Sequence, residues 1–122
     1  MAQRRSRRRS VNFGDVVHID FGHPVGSEAG FHRPGVILMS EAFLSFRPST
    51  IFVVPITAHE RLFPSHVPIA PDQHNGLRSA STALVEQMRA VAVERCSAPL
   101  GNVGPLVGGQ LLDILAMITE LP

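Results

Sequence analysis

Between residues 11 and 91 the chain is cut into short β-branched runs by glycine and proline, and this restricts its fold more than any other feature. Residues 15–21 mix alternation with a β-branched run and read as a strand. Residues 35–40 and 49–56 are short apolar strands, and residues 66–70 form a further one whose Pro68 marks it as an edge. Residues 81–91 read as one strand with room for a bend. The segment 22–30, with three glycines and one proline in nine residues, is a loop. Only the C-terminal end has helical periodicity. Pro105 suits a first helical position, and Leu106, Gln110, Leu111, Ile114, Leu115 and Ile118 fall mostly on one stripe. Gly108 and Gly109 weaken that helix by about 1 kcal/mol each relative to alanine. Five to seven short strands and a terminal helix predict a mainly β protein, a small SH3-like curled barrel with the C-terminal helix laid against it.

The 122 residues amount to one domain with one core. No apolar run is long enough for a transmembrane helix. The N-terminus has no apolar segment of the secretory kind, and the single cysteine, Cys96, excludes an internal disulfide framework. A reduced, cytoplasmic protein is expected. The net charge of +1 conceals a split: five of the eleven arginines lie within residues 1–10, and lysine is absent. Residues 11–122 hold six arginines against ten acids, so the folded body is mildly acidic. Residues 1–10 read as a disordered basic arm, either solubilising or attracted non-specifically to phosphates, and 11–122 as a single domain. Any polyanion site in the body is therefore built from a few placed groups.

The six histidines are scattered at 18, 23, 32, 59, 66 and 74, without metal-binding spacing, and no phosphate-cradling loop carries a lysine. Neither a metal site nor a cofactor is expected. The chemistry concentrates in residues 26–34, where Glu28, His32 and Arg33 share a glycine-flexed loop with Ser27. Pro34 forces Arg33 out of the helical region, at the start of a strand. Taken alone, this pattern also fits a surface Arg–Glu ion pair. Thr57 closes an apolar strand, followed by His59; a hydroxyl there also fits a simple turn. Alternation puts Gln87 and Arg89 on one face of the strand at 81–91, where large polar groups need solvent or a partner.

In this order the segments resemble the MazF/PemK family of toxin endoribonucleases, from about Asn12 to Thr119. The likeness rests on Gly14-Asp15, on Gly-Ser-Glu-x-Gly-x-x-Arg-Pro at 26–34 and on Pro-Ile-Thr at 55–57. It continues through His66-Val67, Glu-Gln-x-Arg at 86–89 and Glu94-Arg95 to the terminal helix. The resemblance implies a homodimeric barrel that cleaves single-stranded RNA without a metal and is neutralised by a cognate MazE-like antitoxin. It places the catalytic arginine at Arg33, the catalytic threonine at Thr57 and the loop glutamate at Glu28, with Gln87 and Arg89 lining the RNA groove. Ser27, His32 and His59 complete the expected RNA contacts. Two departures, Gly22-His23-Pro24 in place of an Asp-Pro step and Ala29 in place of glutamine, touch the substrate loop and leave base preference open. The alternatives are a non-catalytic gyrase-binding toxin of the CcdB type, which has the same barrel, and an SH3-like interaction module. Neither needs the Arg33/Thr57 pair.

Overall fold

The computed structural model describes residues 10–59 and 63–121. The basic arm expected at 1–10 lies, except for Ser10, outside the described residues. Seven strands are present among them: β1 (Asp15–Asp20), β2 (His32–Ile37), β3 (Thr50–Thr57), β4 (His66–Ile69), β5 (Ser81–Leu84), β6 (Arg89–Ala92) and β7 (Gly101–Asn102). A short helix, α1 (Glu41–Leu44), follows β2, and α2 (Gly104–Ile118) ends the chain. The strands form one curled antiparallel sheet in the order β4-β5-β3-β2-β1-β7, with β6 also on β3. The expected mainly β architecture with a C-terminal helix is thus observed, and β4 is an edge as its proline required.

The curl comes from β3. One edge of β3 pairs with β2. The other is shared: Thr50 to Val53 pair with β6, and Ile56 and Thr57 pair with β5. Two strands on one edge cannot be continuous, so the single strand expected at 81–91 is broken by a 3-10 turn, Val85–Gln87. Gln87 therefore sits on the turn and Arg89 on β6, and the alternation argument that paired them does not hold. The second strand also differs from expectation. It begins at His32, three residues earlier, because β1 pairs with it as far as Asp20↔His32. α1 was not anticipated; its signal was Ser40, whose side chain caps it by accepting from the Phe43 N–H at 3.3 Å.

Both faces of the sheet are covered, which explains the continuous apolar runs. Val16, Val36, Val54, Ile56, Val67, Ala83 and Leu111 form one cluster, and Val17, Ile19, Ile37, Ile51, Val53 and Val91 the other. Alternation along each strand separates them. α2 lies on the first cluster through Leu111, with Val107, Ile114 and Leu115 packed beside it. The expected helical stripe is therefore displaced: Leu106 and Ile118, placed on it from the sequence, are exposed. Gly108 permits the contact, since a Cβ there would lie 2.8 Å from the Phe13 ring. Among the described residues no helix is long and apolar enough to cross a membrane.

Candidate active site

The loop joining β1 to β2 is tied down throughout. Gly22 and Gly26 adopt φ of +76° and +58°, which only glycine accepts readily. Glu28 closes a turn on itself: its N–H donates to the Val25 carbonyl at 3.2 Å, and its Oε1 accepts from the Val25 N–H at 2.7 Å. Gly30 lies against Pro24, where a Cβ would overlap the ring. This contact fixes the Gly30 carbonyl, which accepts from Arg33 Nε at 2.9 Å. Gln87 holds the loop from the other side. Its Nε2 donates to the Ser27 carbonyl at 3.1 Å, and its Oε1 accepts from the Ala29 N–H.

The register of β2 on β3 pairs Gly35 with Pro55. The pairing stops there; continued for two residues, the same register sets Arg33 opposite Thr57, and alternation gives both the face occupied by Gly35 and Pro55. That face also carries Val53 and its partner Arg89. Arg33 is half-buried, and one of its five N–H donors is committed to Gly30. Thr57 is only 8% exposed, and its Oγ1 accepts from the His59 N–H at 3.3 Å, which leaves its own proton to donate. Arg89 donates to the Phe21 carbonyl at 3.3 Å and lies over the Phe21 ring, 5.8 Å from the centroid.

An open cleft of about 800 Å³ runs beside this face, lined by Ser27, Glu28, Gln87 and Arg89 with Phe21 and Pro55. Four of the sequence-selected residues thus share one cleft, and Arg33 and Thr57 share the sheet face that carries Pro55. Arg33 and Glu28 form no ion pair among the described residues. His32 falls outside the group: it precedes Arg33 on β2 and so points to the opposite face, where its Nε2 lies 4.0 Å from Asp20 and its side chain is exposed. His59 is exposed beyond the end of β3 and joins Thr57 only through its backbone.

Sequence reasoning passed over the support beneath Gln87. Glu86 accepts from Ser65 Oγ at 2.9 Å and faces His66 Nε2 at 3.0 Å. Burial acts to raise its pKa, but the bonds from His66 and Ser65 outweigh it and hold the carboxyl below its ordinary value. The pair anchors the 3-10 turn that presents Gln87 to the loop. Ser65 and the side chain of His66 are buried, whereas nothing in the local spacing joins residues 65–66 to 86.

Residues 12–119 match the model of the PemK-like, MazF-like toxins of type II toxin–antitoxin systems. The chain belongs to this family. Among relatives of the toxin is endoribonuclease MazF9 of Mycobacterium tuberculosis, 28% identical over 113 residues, with 88% of this chain and 95% of the relative covered. Endoribonuclease EndoA of Bacillus subtilis is 34% identical over 87 residues, covering 70% and 73%. The fold of the toxin is shared by MazF from Deinococcus radiodurans, with a TM-score of 0.75 at 19% identity over 92% of this chain and 98% of that one. It is shared equally by a mycobacterial endoribonuclease solved in complex with its cognate antitoxin, with a TM-score of 0.73 at 20% identity over 92% and 97%.

Proposed function

We propose that this toxin is a sequence-specific endoribonuclease that cleaves single-stranded RNA by attack of the 2′-hydroxyl on the adjacent phosphorus, without a metal. The observation that carries this reading is the β2–β3 register, which, continued two residues, sets Arg33 opposite Thr57 on the face of Pro55, a residue that lines the open cleft of about 800 Å³. RNA supplies its own nucleophile. What the protein adds is stabilisation of the non-bridging oxygens and two proton transfers. Arg33, oriented through Nε, offers its terminal donors to those oxygens, and Thr57 adds a neutral donor. A guanidinium stays protonated at neutral pH, so another group takes the 2′-hydroxyl proton. Glu28 suits this role, because it lines the cleft and only its Oε1 is bound to the loop. Gln87, Arg89 and Ser27 lie where the strand would pass; Gln87 would trade its loop bonds for the substrate.

The full chain incubated with single-stranded RNA in EDTA should yield fragments with 2′,3′-cyclic phosphate and 5′-hydroxyl ends. Cleavage that requires added Mg²⁺, or that leaves 3′-hydroxyl ends, refutes the mechanism. Glu28→Gln should abolish the acidic limb of the pH–rate profile, and a profile unchanged from wild type removes Glu28 as the base. Membership in a toxin–antitoxin family and relatives solved with antitoxins support a homodimer held inactive by a cognate antitoxin. The family match weighs against the gyrase-binding reading and the interaction module.

A further inference from the structure

Phe31 carries three features that the fold does not require. Its φ of +60° lies in the left-handed region, which a bulky residue enters only at a cost. Two backbone hydrogen bonds hold it there. The Phe31 N–H donates to the Gly22 carbonyl at 2.6 Å, and its carbonyl accepts from the Phe21 N–H at 2.9 Å, so that Phe21 and Gly22 both oppose it. The second feature is exposure. Phe31 is 56% exposed and belongs to neither core cluster. It meets the ring of His23 edge-on, with centroids 5.5 Å apart and planes at 75°, and His23 lines the cleft. The third is position. Phe31 directly follows Gly30, whose carbonyl anchors Arg33 Nε, and stands two residues before Arg33 itself.

The chain has neither tryptophan nor tyrosine, so stacking on an unpaired base falls to phenylalanine, histidine or arginine. Phe21, the phenylalanine that lines the cleft, is 4% exposed and already lies beneath Arg89. We propose that Phe31, braced by His23, is the platform on which a nucleobase flanking the phosphodiester held at Arg33 stacks. The assignment rests on the ribonuclease reading and names how that site grips its substrate. The left-handed backbone at Phe31 spends conformational energy to hold an apolar ring in water, at the point where a single-stranded substrate must splay a base.

The test uses Phe31→Trp, Phe31→Asn and a mixed-sequence 2′-O-methyl oligoribonucleotide, which 2′-hydroxyl attack cannot cut. Because the protein lacks tryptophan, Phe31→Trp places its only indole at the platform. Its fluorescence should quench saturably as the oligonucleotide is added, with affinity near that of wild type. Asparagine tolerates the left-handed region, so Phe31→Asn should keep the wild-type Tm yet bind about 5- to 150-fold more weakly, the loss of one stacked base. Arg33→Ala combined with Phe31→Trp should still quench, since stacking does not need the catalytic arginine. An unquenched indole together with unchanged affinity in Phe31→Asn overturns the proposal and leaves the ring to another partner, such as an antitoxin. Cleavage of unmodified RNA, lost in Arg33→Ala, reports separately on the ribonuclease reading.

Discussion

Arg33→Ala should lower the rate of RNA cleavage by about 10²–10³-fold, the usual effect of removing one preorganised donor from a developing oxyanion. The fold should survive, because Arg33 is half-buried and its one side-chain hydrogen bond ends on the Gly30 carbonyl, beside which Pro24 and the backbone bonds of Phe31 already hold the loop. Arg33→Lys is the sharper comparison. Lysine keeps the charge but has a single nitrogen, which cannot bond Gly30 and offer a planar fork to phosphate at once. It should therefore recover little of the lost rate. Single-turnover cleavage of single-stranded RNA measures both variants, with thermal unfolding as the check on folding. A full rate in Arg33→Ala removes Arg33 from the chemistry, and a full rate in Arg33→Lys reduces its role to a point charge.

Gly101→Ala should destabilise the protein by roughly 3 kcal/mol, a fall in Tm on the order of 10 °C for a chain of this length. A Cβ at Gly101 would overlap the His74 carbonyl oxygen and lie 2.5 Å from the Asn75 carbonyl carbon. Neither can move aside easily. Asn75 is 1% exposed; its side chain donates to the Ala70 carbonyl at 2.8 Å and accepts from the Leu77 N–H at 3.0 Å. The His74 carbonyl is itself bound by the Asn102 N–H at 2.8 Å. Gly109→Ala is the control, with nothing within 4 Å of its added methyl. In a helix interior it should stabilise the fold by up to about 1 kcal/mol. Urea unfolding followed by circular dichroism separates the two. Equal midpoints for Gly101→Ala and wild type would show that β7 does not pack on the 72–76 loop as described.

How far the sequence reached is clearest at particular residues. Pro34 announced that Arg33 would be extended, and β2 places it so. Pro55-Ile56-Thr57 marked a strand end, and β3 stops at Thr57. Gln87 and Arg89 were chosen for their polarity amid apolar neighbours, and both line the cleft. The reason given for pairing them was wrong, because alternation presumes an unbroken strand. His32 followed Arg33 into the candidate set by adjacency, which on a strand means opposite faces. The exposure of Phe31 is not legible in the sequence, since no local pattern reports a left-handed φ in a residue that rarely adopts one. The bonds from Glu86 to Ser65 and His66 depend on how β4 lies against β5.

What the sequence determined alone was whatever short-range forces decide. The alternation of β-branched residues, the φ restraint of each proline, the freedom of each glycine and the 3.6-residue stripe at the C-terminus act within a few neighbours. They were enough for a small β protein with a terminal helix and for the ordered motifs of its family. The tertiary structure alone decided which distant groups meet. Arg33 and Thr57 are 24 positions apart in the chain, and only the register of β2 on β3 sets them across from each other. That register is selected by burying both faces of the sheet at once, because a slip of β2 by one residue would turn Arg33 to the face opposite Thr57 and misplace the apolar side chains of β2.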